Sequence, residues 1–535
     1  MSQGADSNTD ARARYELAEL VATSRALASE RDIQKLLAVI LRKCRQVTGA
    51  DAGSVYVVEE ERGADADPRP TPKKLLHFML SQNDSMAIDF KEFTVEIDDR
   101  SIVGQAVLSK QAINIPDLSQ LAAATQPKTR TLRHNSSFDD KTGYRARSML
   151  TVPMLSAMGE VIGVIQLINK RRDSSQALGA DGEVVAFDGR SEELALAWVA
   201  MAGIALENAL LYDEIHTLFD GFVDAAVIAI EQRDPTTSGH SRRVATLSVA
   251  LAKTVDGLAS GPFAGVRFSE TQIQQIEYAG VLHDFGKVGV REKVLVKAKK
   301  LYEEDLRSIR LRFAYIKKAL QVDHAERKLR VALERGGAEL AGRLAEIDAD
   351  LRRKTEEVEE AWGFVTRANE PTVLEQGSFD RLLEIARLLY TAPDGELRPY
   401  LEPEEVAALQ VRRGSLTDIE RVEIESHVDH TATFLRKIPW GRRYADVPRI
   451  AVAHHEYLNG SGYPRRLAST DIPVESRIMT IADIFDALTA SDRPYKKAVP
   501  VDRALGILDS EVKGGKCDGE LFRIFVEGEV YKKVL

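Results

Sequence analysis

The hydrophobic pattern of this chain changes once along its 535 residues. Before residue 190, short runs rich in β-branched residues lie between helical segments, and strands are predicted at 53–58, 75–80, 112–115, 148–154 and 161–168. From Phe222 onward, apolar residues recur at helical spacing nearly throughout. We therefore expect a multidomain chain in which an α+β domain precedes an all-α domain. Its length corresponds to about three or four domain-sized units.

Composition and charge indicate which partners and which cellular location to expect for the protein. The formal net charge of -9 argues against non-specific nucleic-acid binding, so no DNA partner is expected. The two cysteines, Cys44 and Cys517, lie far apart in sequence and form no metal or redox motif, which favours a reducing cytoplasm. The longest nearly uninterrupted apolar run, 194–206, is shorter than the ~20 residues of a membrane-spanning helix. The N-terminus also lacks the basic and apolar regions of a signal peptide. We expect a cytoplasmic protein with no membrane contact.

Four segments follow from these patterns. Residues 1–14 are polar and predicted to be disordered, and residues 15–190 form the α+β domain, which begins with an amphipathic helix at Tyr15. A connecting helix is predicted at 191–221. Its apolar surface is too broad to stay in water, so we expect it to pack against its own domain, a partner subunit or both. Residues 222–535 form the all-α domain.

The all-α part contains residue types that bind metals. His283 and Asp284 place an imidazole beside a carboxylate, and His427, the pair His454 and His455, and Asp483 add further candidate ligands. Imidazole nitrogen and carboxylate oxygen together suit divalent metals, and a carboxylate can bridge two of them. A single His-Asp pair is a weak signal, but the whole set favours a dinuclear site over a helical domain with scattered buried histidines.

A longer motif connects these residues to a known family. Residues 454–464 read HHEYLNGSGYP and resemble the loop of the HD-GYP family, which consists of metal-dependent phosphodiesterases that hydrolyse cyclic di-GMP. The resemblance continues through residues 234–235, 239–241, 481–483, 486–488 and 493–495. It covers roughly residues 222–535, apart from one insertion, and implies the all-α fold of an HD-type domain.

The resemblance implies two metal sites that share one carboxylate. One metal would be held by His240, His283, Asp284 and Asp483, and the other by Asp284, His427, His454 and His455. Some family members hold a third metal through a glutamate, but Thr236 occupies that position, so we expect two metals per subunit. Iron or manganese is favoured by the resemblance, although the ligand types also suit zinc or nickel.

The resemblance also implies contacts with the substrate. Asp284 and Lys287 are the expected catalytic residues. Lys287 lies four residues after His283, on what we expect to be the same helix, and would contact the phosphate. The other positions that match substrate contacts of the family are Asp486, Arg493, Lys496, Gly462 and Tyr463. Tyr463 packs either against a base or only against neighbouring helices.

One segment, at about 297–415, departs from the family pattern. Apolar residues with heptad-like spacing occupy two stretches on either side of the glycine pair at 336–337. The simplest structure is an antiparallel helical hairpin. It could act as a lid, a docking arm or a dimer contact, or it could be a surface addition without a role.

The α+β part resembles a GAF domain, which implies an antiparallel sheet with flanking helices. The likeness is carried by residues 102–107, 114–117, 138–139, 142–144, 148–154 and 159–170. Cyclic-nucleotide-binding members carry an Asn-Lys pair followed by Phe and acidic residues. Here Asn169 and Lys170 are present, but Phe187 and Asp188 are displaced by a polar stretch. The domain therefore binds a small ligand such as a cyclic nucleotide, or it is a dimerisation module with an empty pocket.

Together these features predict hydrolysis of cyclic di-GMP to pGpG, GMP or both, regulated by the GAF domain. A homodimer is expected through the GAF domain and the connecting helix. Two alternatives stay open. The chain could be a non-catalytic cyclic dinucleotide receptor that signals to a protein partner, or a phosphodiesterase for another cyclic dinucleotide such as cyclic GMP-AMP.

Overall fold

The computed structural model forms two compact units, Met1–Phe219 and Asp220–Leu535. It describes residues 30, 32–60, 73–86, 93–123, 132, 143–173, 183–234, 238–334, 339–371, 377–490 and 498–535. The segment 1–14 and the start of a helix at Tyr15, both predicted from the sequence, lie outside these residues.

The first unit is built on an antiparallel sheet, as predicted for the α+β domain. Its strands are β1 (Ala50–Glu60), β2 (Lys74–Asn83), β3 (Phe93–Glu96), β4 (Ile113–Ile115), β5 (Met149–Leu155), β6 (Val161–Arg171) and β7 (Val184–Val185). They pair in the order β3-β2-β1-β6-β5-β4, and β7 is added to β6. The long central strands β1 and β6 pair in register from Ala50 opposite Lys170 to Val57 opposite Gly163.

Two long helices provide most of the core beside this sheet. Helix α1 (Ile33–Thr48) begins where the Asp32 side chain accepts a hydrogen bond from the Lys35 amide, and it ends at Gly49, whose φ of 75° is left-handed. Helices α2 (Ile102–Ser109) and α3 (Ser119–Ala123) follow, and α4 (Gly189–Arg233) is the longest helix described. Leucines of α1 and Trp198, Val199 and Leu206 of α4 are buried in one cluster with strand residues such as Val55 and Ile165.

Helix α4 is long and apolar enough to cross a membrane, by length and composition alone. Its most apolar window has a mean hydropathy of 1.8, and 44% of that window is buried. Core helices of soluble proteins pass the same test, and Trp198 and Val199 lie in the core of the first unit.

Lys170 and Asp188, which a polar stretch separates in the sequence, meet in the structure. They do so because β7 returns the chain to β6 with Val185 opposite Lys170. The ammonium of Lys170 lies 2.9 Å from Asp188 Oδ2 and donates to Ser191 Oγ at 2.7 Å. Phe187 is buried in the core.

The second unit is almost entirely helical. Its helices are α5 (His240–Asp256), α6 (Glu270–Leu282), α7 (Glu292–Leu295), α8 (Glu303–Glu334), α9 (Leu340–Ala368), α10 (Ser378–Arg387), α11 (Pro403–Leu409), α12 (Asp418–Glu425), α13 (His427–Leu435), α14 (Val447–Val452), α15 (Val474–Thr489), α16 (Val501–Lys513) and α17 (Gly519–Glu527). Short 3₁₀ turns lie at Phe285–Gly289, Ser469–Asp471 and Val530–Val534. One exception to the predicted all-α fold is a small antiparallel pair, β8 (Leu389–Thr391) with β9 (Leu397–Pro399).

The insertion has a core of its own. Helices α8 and α9 pack together through Ile309, Phe313 and Ile316 on one side and Val358 and Val365 on the other, as the heptad-like spacing predicted. The glycine pair at 336–337 lies outside the described residues. After α9 the insertion continues through α10, β8, β9 and α11, and buried side chains of α10 and α11 join the same cluster.

The two ends of the insertion meet at a buried ion pair. Lys297 Nζ lies 2.8 and 2.7 Å from the two carboxylate oxygens of Glu420, and both side chains are nearly inaccessible. Tyr302 also donates to Glu420, and Ser415 Oγ donates to the Lys297 carbonyl at 2.8 Å. Burial raises the pKa of Glu420, but the hydrogen bonds from Lys297 and Tyr302 outweigh it and hold this pKa at about 2.

We predict that Glu420→Gln lowers the free energy of unfolding at pH 7 by about 2–4 kcal/mol, because it leaves the buried Lys297 ammonium without its counter-ion. A carboxyl whose folded pKa is depressed stabilises the protein above its ordinary pKa of 4.5, and this contribution is lost as the pH falls towards 2. Denaturant unfolding between pH 7 and pH 3 should therefore show the gap between variant and wild type narrowing below about pH 4.5. The exposed Glu404→Gln serves as the control. Equal stability of Glu420→Gln and wild type at pH 7 would contradict the prediction.

Candidate metal centre

The predicted ligands converge in the second unit from five places in the chain. His240 is the first residue of α5, His283 and Asp284 follow α6, His427 begins α13, His454 and His455 follow α14, and Asp483 lies within α15. Donor atoms lie within 4.8 Å of one another in three groups: His240, His283 and Asp284; His283, His454 and Asp483; and His427, His454 and His455. All of these side chains are buried except His455, which is partly exposed.

Three of the imidazoles are oriented by the backbone. The Nδ1 atoms of His283, His427 and His454 lie 2.7, 2.6 and 2.5 Å from the carbonyl oxygens of Gly280, Ile424 and Ala451. Because a carbonyl oxygen can only accept, each Nδ1 carries the hydrogen, and each Nε2 presents a lone pair.

The Nε2 atoms of His283, His427 and His454 are buried and have no hydrogen-bond partner among the described residues. A buried polar atom left in this state costs about 1–3 kcal/mol. Imidazoles with one nitrogen committed to a carbonyl and the other free are typical metal ligands. These residues therefore fit a divalent metal.

Asp284 lies between the histidine groups. Its Oδ2 atom is 3.7 Å from His240 Nε2 and 3.4 Å from His283 Nε2, whereas its Oδ1 atom is 3.3 Å from His427 Nε2. The two oxygens thus face different histidines, which is the arrangement that a bridging carboxylate requires.

Asp483 completes the part of the cluster around His240. Its Oδ1 atom is 3.2 Å from His240 Nε2 and 4.0 Å from His283 Nε2, and its Oδ2 atom is 3.9 Å from His455 Nδ1. His454 falls into a group with His283 and Asp483 as well as one with His427 and His455. It therefore lies close to both of the predicted metal positions.

The charge states of three of the histidines and of Asp284 suit metal binding. Burial lowers the pKa of His283 and of His454, and it lowers the pKa of His455 to about 4, so these imidazoles are neutral at pH 7. Burial alone would raise the pKa of Asp284, but the positive charge of the neighbouring Lys287 helps to hold this pKa well below its usual range. Neutral imidazoles and ionised carboxylates are the forms that coordinate a cation.

His240 has a different support. Its Nδ1 atom lies 2.7 Å from Asp486 Oδ2, and Arg243 binds the same carboxylate through Nε at 2.6 Å and Nη2 at 3.1 Å. Burial lowers the pKa of His240, but the hydrogen bonds with Asp483 and Asp486 outweigh it and raise this pKa to about 9. Asp486 is 1% exposed, and its carboxylate is engaged by His240 and Arg243. The substrate contact predicted for Asp486 stays a prediction.

Lys287 lies beside the bridging carboxylate. Its ammonium is 2.9 Å from Asp284 Oδ2 and 3.2 Å from Asp234 Oδ2. It does not share a helix with His283, as the sequence had suggested, because α6 ends at Leu282 and Lys287 lies in the 3₁₀ turn Phe285–Gly289.

Close packing explains the break in the helix. A Cβ atom on Gly286 would lie 1.8 Å from the His427 carbonyl oxygen, so only glycine allows this turn to approach α13. Thr431 fixes the approach, since its hydroxyl accepts from the Gly286 amide at 2.8 Å and donates to the His283 carbonyl at 2.9 Å. This contact brings Asp284 next to His427.

The glycine-rich loop lies against the same cluster. A Cβ atom on Gly462 would be 2.4 Å from the carbonyl oxygen of His455 and from the amide nitrogen of Tyr457, so the backbone leaves no room for a side chain. The Tyr463 ring is centred 4.8 Å from the His455 ring. It also packs against Val428, Ala432 and Val452. Arg493, Lys496 and Thr236 lie outside the described residues.

Several supporting residues were not predicted from the sequence. Besides Arg243, Asp234 and Thr431, they include Thr480, which donates to the His454 carbonyl at 2.7 Å. The buried Glu456 accepts from the amides of Arg465 and Leu467 at 2.7 and 2.8 Å and so shapes the loop. A sequence signal existed for Asp234, which lies in the motif stretch 234–235, and for Glu456, which follows the histidine pair directly.

Comparisons with known proteins agree with this architecture. A family model described as an HD domain matches residues 383–521, and one described as a GAF domain matches residues 32–206. The chain therefore carries a GAF domain followed by a helical HD domain, the kind of domain that binds divalent metals.

Curated relatives resemble short parts of the chain. A 3'3'-cGAMP-specific phosphodiesterase 3 from Vibrio cholerae is 39% identical over 105 residues, which is 20% of this chain and 22% of the relative. The cyclic di-GMP phosphodiesterase response regulator RpfG from Xanthomonas campestris is 52% identical over 59 residues, covering 11% of this chain and 15% of the relative. A cyclic di-GMP phosphodiesterase from Thermotoga maritima is 46% identical over 61 residues, covering 11% and 16%. The chain thus spans less than a quarter of the length of these relatives.

We predict that His454→Ala weakens the binding of Mn²⁺ at least 10-fold, because it removes a preoriented Nε2 lone pair close to both predicted metal positions. Calorimetric titration of the metal-free protein measures this change. His430→Ala is the matched control, since His430 is an exposed histidine on the same helix as His427. Equal metal affinity of the two variants would contradict a ligand role for His454.

The Asp486 carboxylate gives a second test. We predict that Asp486→Ala weakens Mn²⁺ binding by about 10- to 100-fold, because His240 loses the partner that orients its ring. The exposed Asp502→Ala should bind the metal as wild type does. Unchanged metal affinity of Asp486→Ala would instead favour a residue that contacts only the substrate.

Proposed function

We propose that this chain hydrolyses a phosphodiester bond of a cyclic dinucleotide at a centre of two divalent metals. Two observations carry the proposal: three buried imidazole nitrogens have no hydrogen-bond partner among the described residues, and the two oxygens of Asp284 face different histidines, His283 and His427. The names of the curated relatives support the substrate class, because they are phosphodiesterases for cyclic di-GMP or 3'3'-cGAMP.

The ligands divide as the family resemblance implies. His240, His283, Asp284 and Asp483 hold one metal, and Asp284, His427, His454 and His455 hold the other. When bound, such a pair lowers the pKa of a coordinated water and neutralises the non-bridging oxygens of a phosphodiester. Iron or manganese is the proposed metal.

Beside the metals, the proposed catalytic side chains are those of Asp284 and Lys287. Asp284 keeps its negative charge in a buried site and so joins both ligand sets. The Lys287 ammonium touches Asp284 Oδ2, and its side chain is 18% exposed, so one edge of the cation can reach a phosphate oxygen. In-line attack of a water oxygen on phosphorus would form one P–O bond while the bond to the 3' oxygen of the sugar breaks, and a nearby cation would stabilise the negative charge that develops on the phosphoryl oxygens and the departing 3' oxygen.

Substrate recognition is assigned to the surroundings of the metals. Gly462 and Tyr463 line the site beside His455, and Arg493, Lys496 and Asp486 complete the proposed contacts by family resemblance. Because the protein carries a net charge of -9, the attraction for an anionic dinucleotide must come from the metals and these few cations.

The GAF domain is the proposed regulator. The Lys170–Asp188 ion pair resembles the Asn-Lys and acidic pattern of cyclic-nucleotide-binding members, so a cyclic nucleotide is the proposed ligand. We further propose a cytoplasmic homodimer that pairs through the GAF domain and the connecting helix.

Two substrates compete within the proposal. Cyclic di-GMP follows from the family resemblance, and 3'3'-cGAMP is favoured by the name of the Vibrio cholerae relative. The groups around the metals contact phosphates rather than bases, so they accept either dinucleotide. Products would be the linear dinucleotide, such as pGpG, or mononucleotides such as GMP.

Turnover of a panel of cyclic dinucleotides with Mn²⁺ or Fe²⁺ tests the function. We predict cleavage by the wild type, two metals per chain, and a loss of at least 1000-fold in kcat/KM for Asp284→Ala, because both ligand sets lose a member. His430→Ala should keep its activity. Saturable binding without cleavage in any of several metals would instead identify a receptor. Three metals per chain would contradict the proposed stoichiometry.

A further inference from the structure

A cleft on the surface of the second unit is separate from the metal centre. It has a volume of about 700 Å³ and is lined by one face of α5, by residues of α6 and by the 3₁₀ turn Val530–Val534. Clefts of about 300–1,000 Å³ are typical of small-molecule sites. The residues that line it include none of the predicted metal ligands. The cleft is therefore a candidate for a second binding site.

Helix α5 turns one face towards the cleft. Arg242, Thr246, Val249 and Lys253 follow one another at steps of four, three and four residues, and all of them line the cleft. Such spacing places side chains on one side of a helix. The opposite side of α5 is buried in the core of the unit. The helix thus presents a mixed apolar and basic face to a ligand.

The most deeply buried residues that line the cleft are all aliphatic. Ala245, Val281 and Val530 are 4%, 9% and 2% exposed, and together they form an apolar floor. Val249 and Ala250, which are half-buried, extend this floor along α5. An organic group that covers the floor would remove apolar surface from water, which is favourable.

The turn Val530–Val534 adds a second lysine to the cleft. The chain passes close to α5 just before this turn, since a Cβ atom on Gly528 would lie 3.0 Å from Thr254 Cγ2. The Val530 side chain is then buried beside the helix. Lys533, three residues later, lines the same cleft as Lys253.

The exposed rim of the cleft is mainly basic. Arg242, Lys253 and Lys533 are exposed there, and Glu277 is the one acidic residue among the lining residues. Arg242 is already engaged, because its Nη2 atom donates to Asp224 at 2.8 Å. Neither lysine ammonium has a hydrogen bond or an ion pair within the part of the chain that the structure describes. The rim therefore offers two uncompensated cations, although the net charge of the whole chain is -9.

We propose that this cleft binds a small organic phosphate. Its phosphate group contacts the ammonium groups of Lys253 and Lys533, and its organic part lies on the apolar floor. A phosphate monoester carries about 1.5–2 negative charges at pH 7, which suits two lysines. The hydroxyls of Thr246 and Thr254 each donate to a carbonyl of α5 at 2.9 Å, so they are not free to donate to the ligand. The lysines are the donors that remain.

Calorimetric titration of the metal-free full chain with phenyl phosphate tests this site, because chelation removes any binding of phosphate to metals. We expect saturable binding that Lys253→Gln and Lys533→Gln each weaken about 5- to 10-fold, since each removes a charged donor. Lys532→Gln is the matched control, because Lys532 is adjacent in sequence but pairs with Glu529 and does not line the cleft. Wild-type affinity of both lysine variants would overturn the proposal, as would a lack of saturable binding at about 10 mM phenyl phosphate.

The role of the apolar floor has its own test. Inorganic phosphate should bind at least 10-fold more weakly than phenyl phosphate, because it cannot cover the floor. Ala250→Trp should weaken the binding of phenyl phosphate at least 10-fold, since the indole fills the cleft and leaves both lysines in place. Equal affinity for the two ligands, or wild-type affinity of Ala250→Trp, would overturn the assignment to an organic phosphate. Circular dichroism and thermal unfolding of each variant verify folding. No step of this test depends on hydrolysis, so its result and that of the proposed function are independent.

Discussion

The site depends on a simple constraint, which is that a buried imidazole can satisfy only one of its two nitrogens with the local backbone. In His283, His427 and His454 the carbonyl three residues earlier takes the Nδ1 hydrogen. The three Nε2 lone pairs are then left without a hydrogen-bond partner among the residues that the structure describes. Such unpaired nitrogens reduce the free energy of unfolding, and a cation bound to them would stabilise the fold through linkage. Folding and the proposed metal binding would then be thermodynamically coupled in the second unit.

Much of the fold could be predicted because each element has a local signature. The β-branched runs predicted strands of the first unit, and heptad-like spacing predicted α8 and α9. The residues predicted to bind metals converge in one cluster. Their signal in the sequence was the whole set of His and Asp residues together with the specific HHEYLNGSGYP loop.

The structural features that the sequence did not predict depend mostly on contacts between distant segments. The spacing from His283 to Lys287 looks helical, and only the approach of Gly286 to the His427 carbonyl explains the 3₁₀ turn. Thr431 and Thr480 resemble any threonine on a helix until their carbonyl partners are known. Lys170 and Asp188 are separated by a polar stretch, yet the pairing of β6 with β7 brings them together. Short strands such as β8 and β9 carry too few residues for a periodic signal.

The buried Lys297–Glu420 pair has a consequence for how the second unit folds. The segment between Lys297 and Ser415 separates the His-Asp turn from α13, and its ends are joined across 118 positions of sequence. Closing a disordered loop of that length would carry an entropic cost before any contact between the turn and α13 formed. Because the segment has its own hydrophobic core, it can fold first and shorten the effective loop to the distance across its base. Folding of the insertion would then limit the rate at which the turn at His283 and Asp284 forms its contacts with α13, as expected when long-range contacts limit the rate of folding.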